Sequence, residues 1–340
     1  MAPPSFKDYK EIVQNLSFAF SIVLNSLLII LVLTKSPKRI GNYKYLMIYF
    51  SIFAMCFSVL DIILQPYLLS INGGFIVVSG IRNTFIGQNV EIVILSSLCG
   101  CFGVCLSTIA IHFIFRFFAL ERKGKLKYFQ SKYLLFWLSI PILVGVVWTA
   151  ITVYFCQPSD ITTTTSKYHL LREFNIKIES MTYIGAVYFT LGPDGKRIPN
   201  EFAVTGMTLL FLIMAICISI LTYFAMKSYI RVKKLIEEGE SSYTKHLQKQ
   251  LYKSLVVQAC IPMFFLYIPI GLYLTLPIIG CEFDGLGKFV TFIYAIYPSL
   301  DPLPIIFIID SYRYAILDFF GCCQNKNRVD CEIESVSRAV

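Results

Sequence analysis

The chain has 340 residues, of which 56% are hydrophobic, 15% aromatic and only 15% charged, with a formal net charge of +9 and a mean hydropathy of +0.67. A soluble domain of this size carries about 25% charged residues, so the composition excludes an ordinary water-soluble enzyme and points to an all-α, polytopic membrane protein. The polar segments are too short to form a further soluble domain.

Uncharged runs such as Ile12–Leu33 and Phe202–Met226 each exceed the ~20 helical residues needed to cross a hydrocarbon core of ~30 Å. In chain order, spans are predicted over 11–34, 43–68, 90–116, 133–155, 201–227, 251–276 and 285–309. The opening "MAPPSFKDYKEIVQ" lacks a signal-peptide pattern, so the first span is expected to act as its own insertion signal. The sequon Asn15-Leu16-Ser17 falls at the membrane edge, too close for glycan transfer. Segment 156–200 is the longest connection; with "SDITTTTSKYHLLREFNIKIE" followed by the turn-like "GPDGKRIPN", it reads either as a lid over the bundle mouth or as a solvated loop. After the seventh span, Tyr312, Ile316, Phe319 and Phe320 recur at helical spacing and predict an amphipathic surface helix over 311–321. Residues 1–321 then form the seven-span bundle and 322–340 a short tail, with Cys322 and Cys323 placed as palmitoylation candidates.

Of the 30 Lys and Arg residues, 21 fall in segments 34–44, 116–132, 227–253 and the tail. Positive residues favour the cytoplasm, so the expected topology has the N-terminus outside and the C-terminus inside. The basic excess is thus a topology signal and an attraction to anionic membrane lipids; it calls for no nucleic acid. Cys56, Cys99, Cys101, Cys105, Cys217 and Cys260 lie inside spans, where cysteine behaves as a small hydrophobe. A bridge between Cys156 and Cys281 is left open. No zinc spacing, phosphate loop, serine elbow or metal motif occurs, so neither a cofactor, a metal nor a catalytic role is expected.

Polar residues inside spans are the functional candidates, because lipid makes them costly. At ~1.5 Å per residue, Asp301, Asn25 and Ser51 lie about 12–14 Å from the inner edge and are expected to share one polar layer. Asp61 lies about 27 Å from that edge and cannot pair with Asp301. Asp61 and Glu91 read either as interfacial carboxylates reaching water or as acids lining an outer pocket. Arg116, with His112 one turn earlier, reads either as a positive-inside anchor or as a helix-end arginine that holds an inactive state; His112 reads as a packing residue. Pro262 and Pro269 predict a kink in the sixth span, with Tyr267 beside it. By depth, Leu98, Cys99, Phe102, Tyr267, Thr291 and Tyr294 are candidates for a ligand pocket.

Four stretches in register, "TKSPKRIGNYKYLMIYFSIF" (34–53), "HFIFRFFAL" (112–120), "LQKQLYKSLVVQACIP" (247–262) and "YPSLDPLPIIFIIDSYR" (297–313), resemble the Str-type serpentine chemoreceptors of nematodes, the family that includes the diacetyl odorant receptor. The resemblance implies a seven-helix G-protein-coupled receptor in the ciliary membrane of a chemosensory neuron, with an odorant or water-soluble cue as ligand and a heterotrimeric G protein as partner. It implies that Arg116 matches the arginine at the inner end of the third helix, and Asp301-Pro302 the Asp-Pro of the seventh; with His112, Tyr267, Pro269, Asn25 and Ser51 these are the expected residues of activation and G-protein coupling. No acid precedes Arg116, Ile305 stands where a tyrosine is common, and the usual bridge from the third helix to the following outer loop is not apparent. An odorant-gated cation channel of the insect type is the main alternative, against the loop charges. A small-solute transporter is the other, against the odd span count and the lack of repeats. Dimerisation is left open.

Overall fold

The structure, a computed structural model, describes residues 6–71, 73–79, 87–121, 129, 132–174, 181–237, 242–281 and 284–319. Among them are seven helices long and apolar enough to cross a membrane: Phe6–Lys35, Tyr43–Leu64, Gln88–Glu121, Tyr133–Phe155, Glu201–Lys234, Ser242–Ile279 and Gly285–Ile308. Helices are the answer lipid imposes, since every backbone N–H and C=O must be satisfied within its own segment. In element terms these are α1 (Phe6–Lys35), α2 (Tyr43–Leu64), α3 (Gln88–Glu121), α4 (Lys132–Phe155) and α6 (Glu201–Glu237), followed by α7 (Ser242–Pro262) with α8 (Ile268–Ile279), and α9 (Asp284–Leu300) with α10 (Leu303–Ile308). The chain is a multi-pass, seven-helix bundle.

The predicted spans are present, with three differences that have local causes. The second ends at Leu64 instead of 68, because Gln65 takes a left-handed φ of 45° and Pro66 follows. The third runs on to Glu121, so Arg116 lies inside it and does not close it. The sixth is interrupted by a π-helical turn at Met263–Tyr267, between Pro262 and Pro269. Proline cannot donate to the ladder, and a π turn is one way to absorb the missing bond. The seventh breaks at Asp301-Pro302 for the same reason.

Close helix approach depends on glycine between the third and fourth spans. A methyl group at Gly100 would meet Thr149 Oγ1 at 2.2 Å and the Gly145 carbonyl oxygen at 2.8 Å, the small-residue packing typical of membrane helices. The fourth and fifth spans are the least buried. Their outward side chains, among them Leu135, Leu143, Leu212 and Ile216, are exposed and suit a lipid surround.

The described part of segment 156–200 is folded over the bundle mouth, which favours the lid reading over the solvated loop. It supplies α5 (Asp160–Phe174), β3 (Tyr183–Val187) and the hairpin β4 (Phe189–Leu191) with β5 (Arg197–Pro199). Two strands that follow the second span, β1 (Tyr67–Ile71) and β2 (Gly74–Val78), pair antiparallel, and β3 joins β2 in a sheet of order β1-β2-β3. Strand side chains alternate between faces. Leu68, Phe75, Val77, Ile184 and Ala186 therefore join the bundle core, while Leu69, Ile71, Ile76, Val78, Tyr183 and Val187 form a separate cluster. The helix α5 packs against β1 and β3, and Thr163 and Tyr183 hydroxyls meet at 2.6 Å. Both sheet faces are thus covered, and the lid is two layers thick.

At the opposite end, α11 (Asp310–Phe319) follows the seventh span as predicted. Tyr312 is fully buried and meets Ser36 at 2.7 Å, whereas Phe319 is 85% exposed. Phe320, Cys322 and Cys323 lie outside the described residues.

Candidate ligand cavity and buried polar core

Under the sheet lies a partly open cavity of about 80 Å³, room on the order of five water molecules. Its floor and walls come from Leu98, Cys99 and Phe102 on α3, and from Trp148 and Thr152 on α4. Met207 and Leu210 of α6, Ile270, Tyr273 and Leu274 of α8, and Tyr294 of α9 close it laterally, and the sheet roofs it with Leu68, Phe75, Val77 and Ile184. Of the six pocket residues expected from depth, Leu98, Cys99, Phe102 and Tyr294 line this space. Tyr267 and Thr291 do not. Tyr267 sits one layer below, its ring edge-on to Phe102 at 4.5 Å. Thr291 is turned to the lid, accepting from Leu68 N at 3.2 Å and donating to Gly287 O at 2.8 Å. Tyr267 thus differs from the expected lining in height, and Thr291 in azimuth, which depth along a helix does not fix.

The polar groups of the lining are already satisfied. Tyr294 donates to Leu98 O at 2.7 Å, Thr152 to Trp148 O at 3.0 Å, and the Tyr273 hydroxyl lies 3.0 and 2.8 Å from the carbonyls of Leu69 and Ile76. That leaves the thiols of Cys99 and Cys156 as the spare polar atoms. Burial pushes the Cys156 thiol up to about 12, so it stays neutral. No charged side chain lines the cavity. Such a surface matches an uncharged ligand that asks for few hydrogen bonds.

Tyr273 also fixes the lid. Its two carbonyl partners belong to adjacent strands, and Tyr188 donates from the far side to Leu274 O at 2.8 Å. Gly287 lets β1 lie against the seventh span, since a methyl there would fall 2.3 Å from Leu68 O.

Below the cavity a line of buried contacts descends through the bundle. Tyr267 follows Phe102, Cys105 Sγ meets Tyr297 Oη at 2.9 Å, Tyr297 donates to Asp301 Oδ1 at 3.4 Å, and Gln258 Nε2 donates to Asp301 Oδ2 at 3.0 Å. Asn25 donates to Pro298 O at 3.1 Å. The expected layer of Asn25, Ser51 and Asp301 is therefore present in part. Asn25 and Asp301 both serve the seventh span, while Ser51 is buried without joining either bond. Nearer that end, Arg116 is 2% exposed and its guanidinium donates to Gln248 O at 2.8 Å and to the Gln248 side-chain oxygen. An anchor reaching lipid headgroups would be exposed, so the anchor reading is set aside. His112 is buried against Tyr43 and Phe50 at ring distances of 5.5 and 5.6 Å, a packing residue as read. Among the described residues no cluster of metal-binding groups occurs.

Three further expectations change. Asp61 neither reaches water nor lines the cavity; it is 4% exposed and accepts from Gln14 at 2.7 Å. Lys10, overlooked in the sequence, donates from Nζ to Gln65 O at 2.6 Å and lies over the Tyr67 ring, 3.5 Å from its centroid. Glu91 is half-buried and accepts from Thr182 in the lid. Cys156 and Cys281 are both free thiols, the first buried and the second exposed. Sequence reasoning also missed Gln258 and Gln248. A lone amide in the apolar "SLVVQACIP" was the available signal, by the same cost argument that flagged Asn25.

Comparison with known proteins agrees with this architecture. Residues 10–317 match the model of the serpentine type 7TM GPCR chemoreceptor Str family. The chain is 31% identical to serpentine receptor class r-10 of Caenorhabditis briggsae, over 95% of this chain and 93% of that protein. It is 30% identical to the Caenorhabditis elegans protein of the same name, over 96% and 93%. It is 28% identical to G-protein coupled receptor str-217 of Caenorhabditis elegans, over 92% and 90%. The chain belongs to the Str family of serpentine seven-transmembrane chemoreceptors.

Proposed function

We propose that the lidded cavity receives a small, uncharged, weakly polar chemical cue and that the opposite end of the bundle activates a heterotrimeric G protein. The observation that carries this reading is the apolar cavity with its polar lining groups already paired, directly above a buried contact line to the sixth and seventh spans. The sheet end faces outside and the basic loops face the cytoplasm, as the Lys and Arg distribution favours. The protein resides in the plasma membrane, in the cilium of a chemosensory neuron, with α11 on the inner membrane surface and Cys322-Cys323 as lipid anchors.

A ligand shifts a two-state equilibrium only through different affinity for the two states. Here the difference arises at Phe102 and at the wall formed by α8. Pressure on Phe102 displaces Tyr267 at the π turn, and with it the Tyr297–Asp301–Gln258 contacts. Release of Gln248 by Arg116 then lets the inner half of the sixth span move and exposes the coupling surface. Coupling of this kind is typically worth about 1–3 kcal/mol. The test is nucleotide exchange on a heterotrimer by the receptor in nanodiscs, with and without an active compound. Exchange that rises with compound in the wild type and is lost in Arg116→Ala supports the reading; compound-independent exchange in both refutes it.

A further inference from the structure

The roof of the cavity is closed twice, by the sheet and by α5 above it, and it is tied down by Tyr273 and Tyr188. Among the described residues the roof offers a ligand no short path. The side walls are unequal. The third span packs on the fourth and fifth, the fourth on the fifth, and α8 on α9 and on both β1 and β2. Between α6 and α8 there is no comparable packing among the described residues, although α6 packs against α7 lower down.

This seam coincides with the cavity. Met207 and Leu210 line it from α6, and Ile270 and Leu274 from α8. Ile270 and Leu274 are only half-buried, so each contributes both to the cavity wall and to the outer surface. Next to them, a methyl group added at Gly271 would meet nothing within 4 Å. Positions 271 and 274 are neighbours on the helix surface, so this open space borders the outer side of Leu274, next to the seam. The window has a lintel, because Tyr188, anchored through its own carbonyl to Asn200 N at 2.7 Å, bonds Leu274 O. Its sill is Tyr267, fully packed in the π turn.

We propose that ligands reach the cavity sideways from the bilayer, through a portal between the fifth and sixth spans bounded by Met207, Leu210, Ile270, Gly271 and Leu274. The bilayer then acts as the first selectivity step. Compounds that partition into lipid are concentrated at the portal, and strongly hydrated cues are excluded before they meet the cavity. The ligand class is accordingly volatile or lipid-partitioning, not water-soluble. This inference rests on the cavity being the ligand site; it does not depend on G-protein coupling.

The chain contains two tryptophans, and Trp148 lines the cavity at 5% exposure. With Trp137→Phe as background, the full chain in lipid nanodiscs is mixed rapidly with 1-bromopropane, a small apolar heavy-atom quencher, and Trp148 emission is followed. The proposal expects quenching whose rate falls at least tenfold in Gly271→Leu and by a smaller factor in Gly271→Ala, with the same end-point. It also expects no change in the lipid-facing control Leu272→Phe. Because Gly271 faces open space, neither substitution strains the fold, and an unchanged end-point reports an intact cavity. A rate indifferent to Gly271→Leu but accelerated by Tyr273→Phe would place entry through the lid and overturn the portal. Absence of any quenching by 1-bromopropane would overturn the cavity reading itself, and the portal with it.

Discussion

Asn25 donates its side-chain amide to the carbonyl of Pro298 at 3.1 Å, one of the carbonyls that the seventh span's prolines leave without a ladder donor. The natural donor would be the N–H of residue 302, which is proline. The first span therefore completes the hydrogen-bond ladder of the seventh. In a bilayer an unpaired carbonyl has no water to turn to, which explains both the break at Asp301-Pro302 and its tolerance.

Replacing Asn25 by leucine should leave Pro298 O unpaired and cost about 1–3 kcal/mol. The cost should shrink in a Pro302→Ala background, where the backbone N–H returns. A double-mutant cycle on thermal unfolding in detergent measures this. Equal costs in both backgrounds would show that Asn25 acts elsewhere.

Arg116 and Gln248 join the third and sixth spans through two bonds from the guanidinium, one to the backbone and one to the side-chain oxygen. Arg116→Ala should abolish G-protein signalling with surface expression intact. Gln248→Ala removes the side-chain half of this tie, leaves the bond to the backbone carbonyl and the cation in place, and should raise ligand-independent signalling. A reporter assay normalised to surface epitope reads both, and unchanged signalling in Arg116→Ala would remove it from the coupling machinery.

Tyr273→Phe removes the hydroxyl that holds β1 and β2. The expected loss is about 1–2 kcal/mol of local stability, seen as faster amide exchange in 67–78 and little change in α1 or α3. Protection lost uniformly would mean that the hydroxyl supports the whole fold.

Alkaline conditions should destabilise the folded chain through groups outside the spans. Burial moves the Cys156 thiol from the ordinary 9.0 to about 12 and the Tyr312 phenol from 10.0 to about 12, against its bond to Ser36. Burial also raises Tyr188. These acids keep their protons in the folded state while the unfolded chain loses them, so their contribution is complete below pH 9 and disappears between about 9 and 12. The melting temperature should fall above pH 9, less steeply in Cys156→Val. A flat profile to pH 11 would contradict the burial of these groups.

The spans were legible because the bilayer dictates both length and composition, and the runs from Ile12 and Phe202 carry that pattern directly. Asn25, Arg116 and Asp301 were legible as costly residues, since cost does not depend on knowing the partner. The partners were not: Gln248, Gln258 and Pro298 come from other spans, and their meeting depends on helix azimuth, which mean hydropathy does not encode. The lid was the least legible element. The predicted second span, 43–68, runs into the start of β1, since "YLLSI" is as apolar as a helix; β2 falls in the connection before the third span, where no strand was expected, and β3 reaches β2 over more than a hundred residues. Only the left-handed Gln65 before Pro66 marks the change.

Topology can be checked with an epitope at each terminus in unpermeabilised cells, where the N-terminal tag alone should stain. The most direct test of the central claim is a calcium assay in cells expressing the chain, screened against volatile and water-soluble compounds and run beside a cavity-filling Leu98→Trp variant. A lipid-partitioning compound should evoke a response that is lost in Leu98→Trp, in Arg116→Ala and in cells lacking G proteins. A ligand-evoked current that persists without G proteins would contradict the account and make the chain a channel.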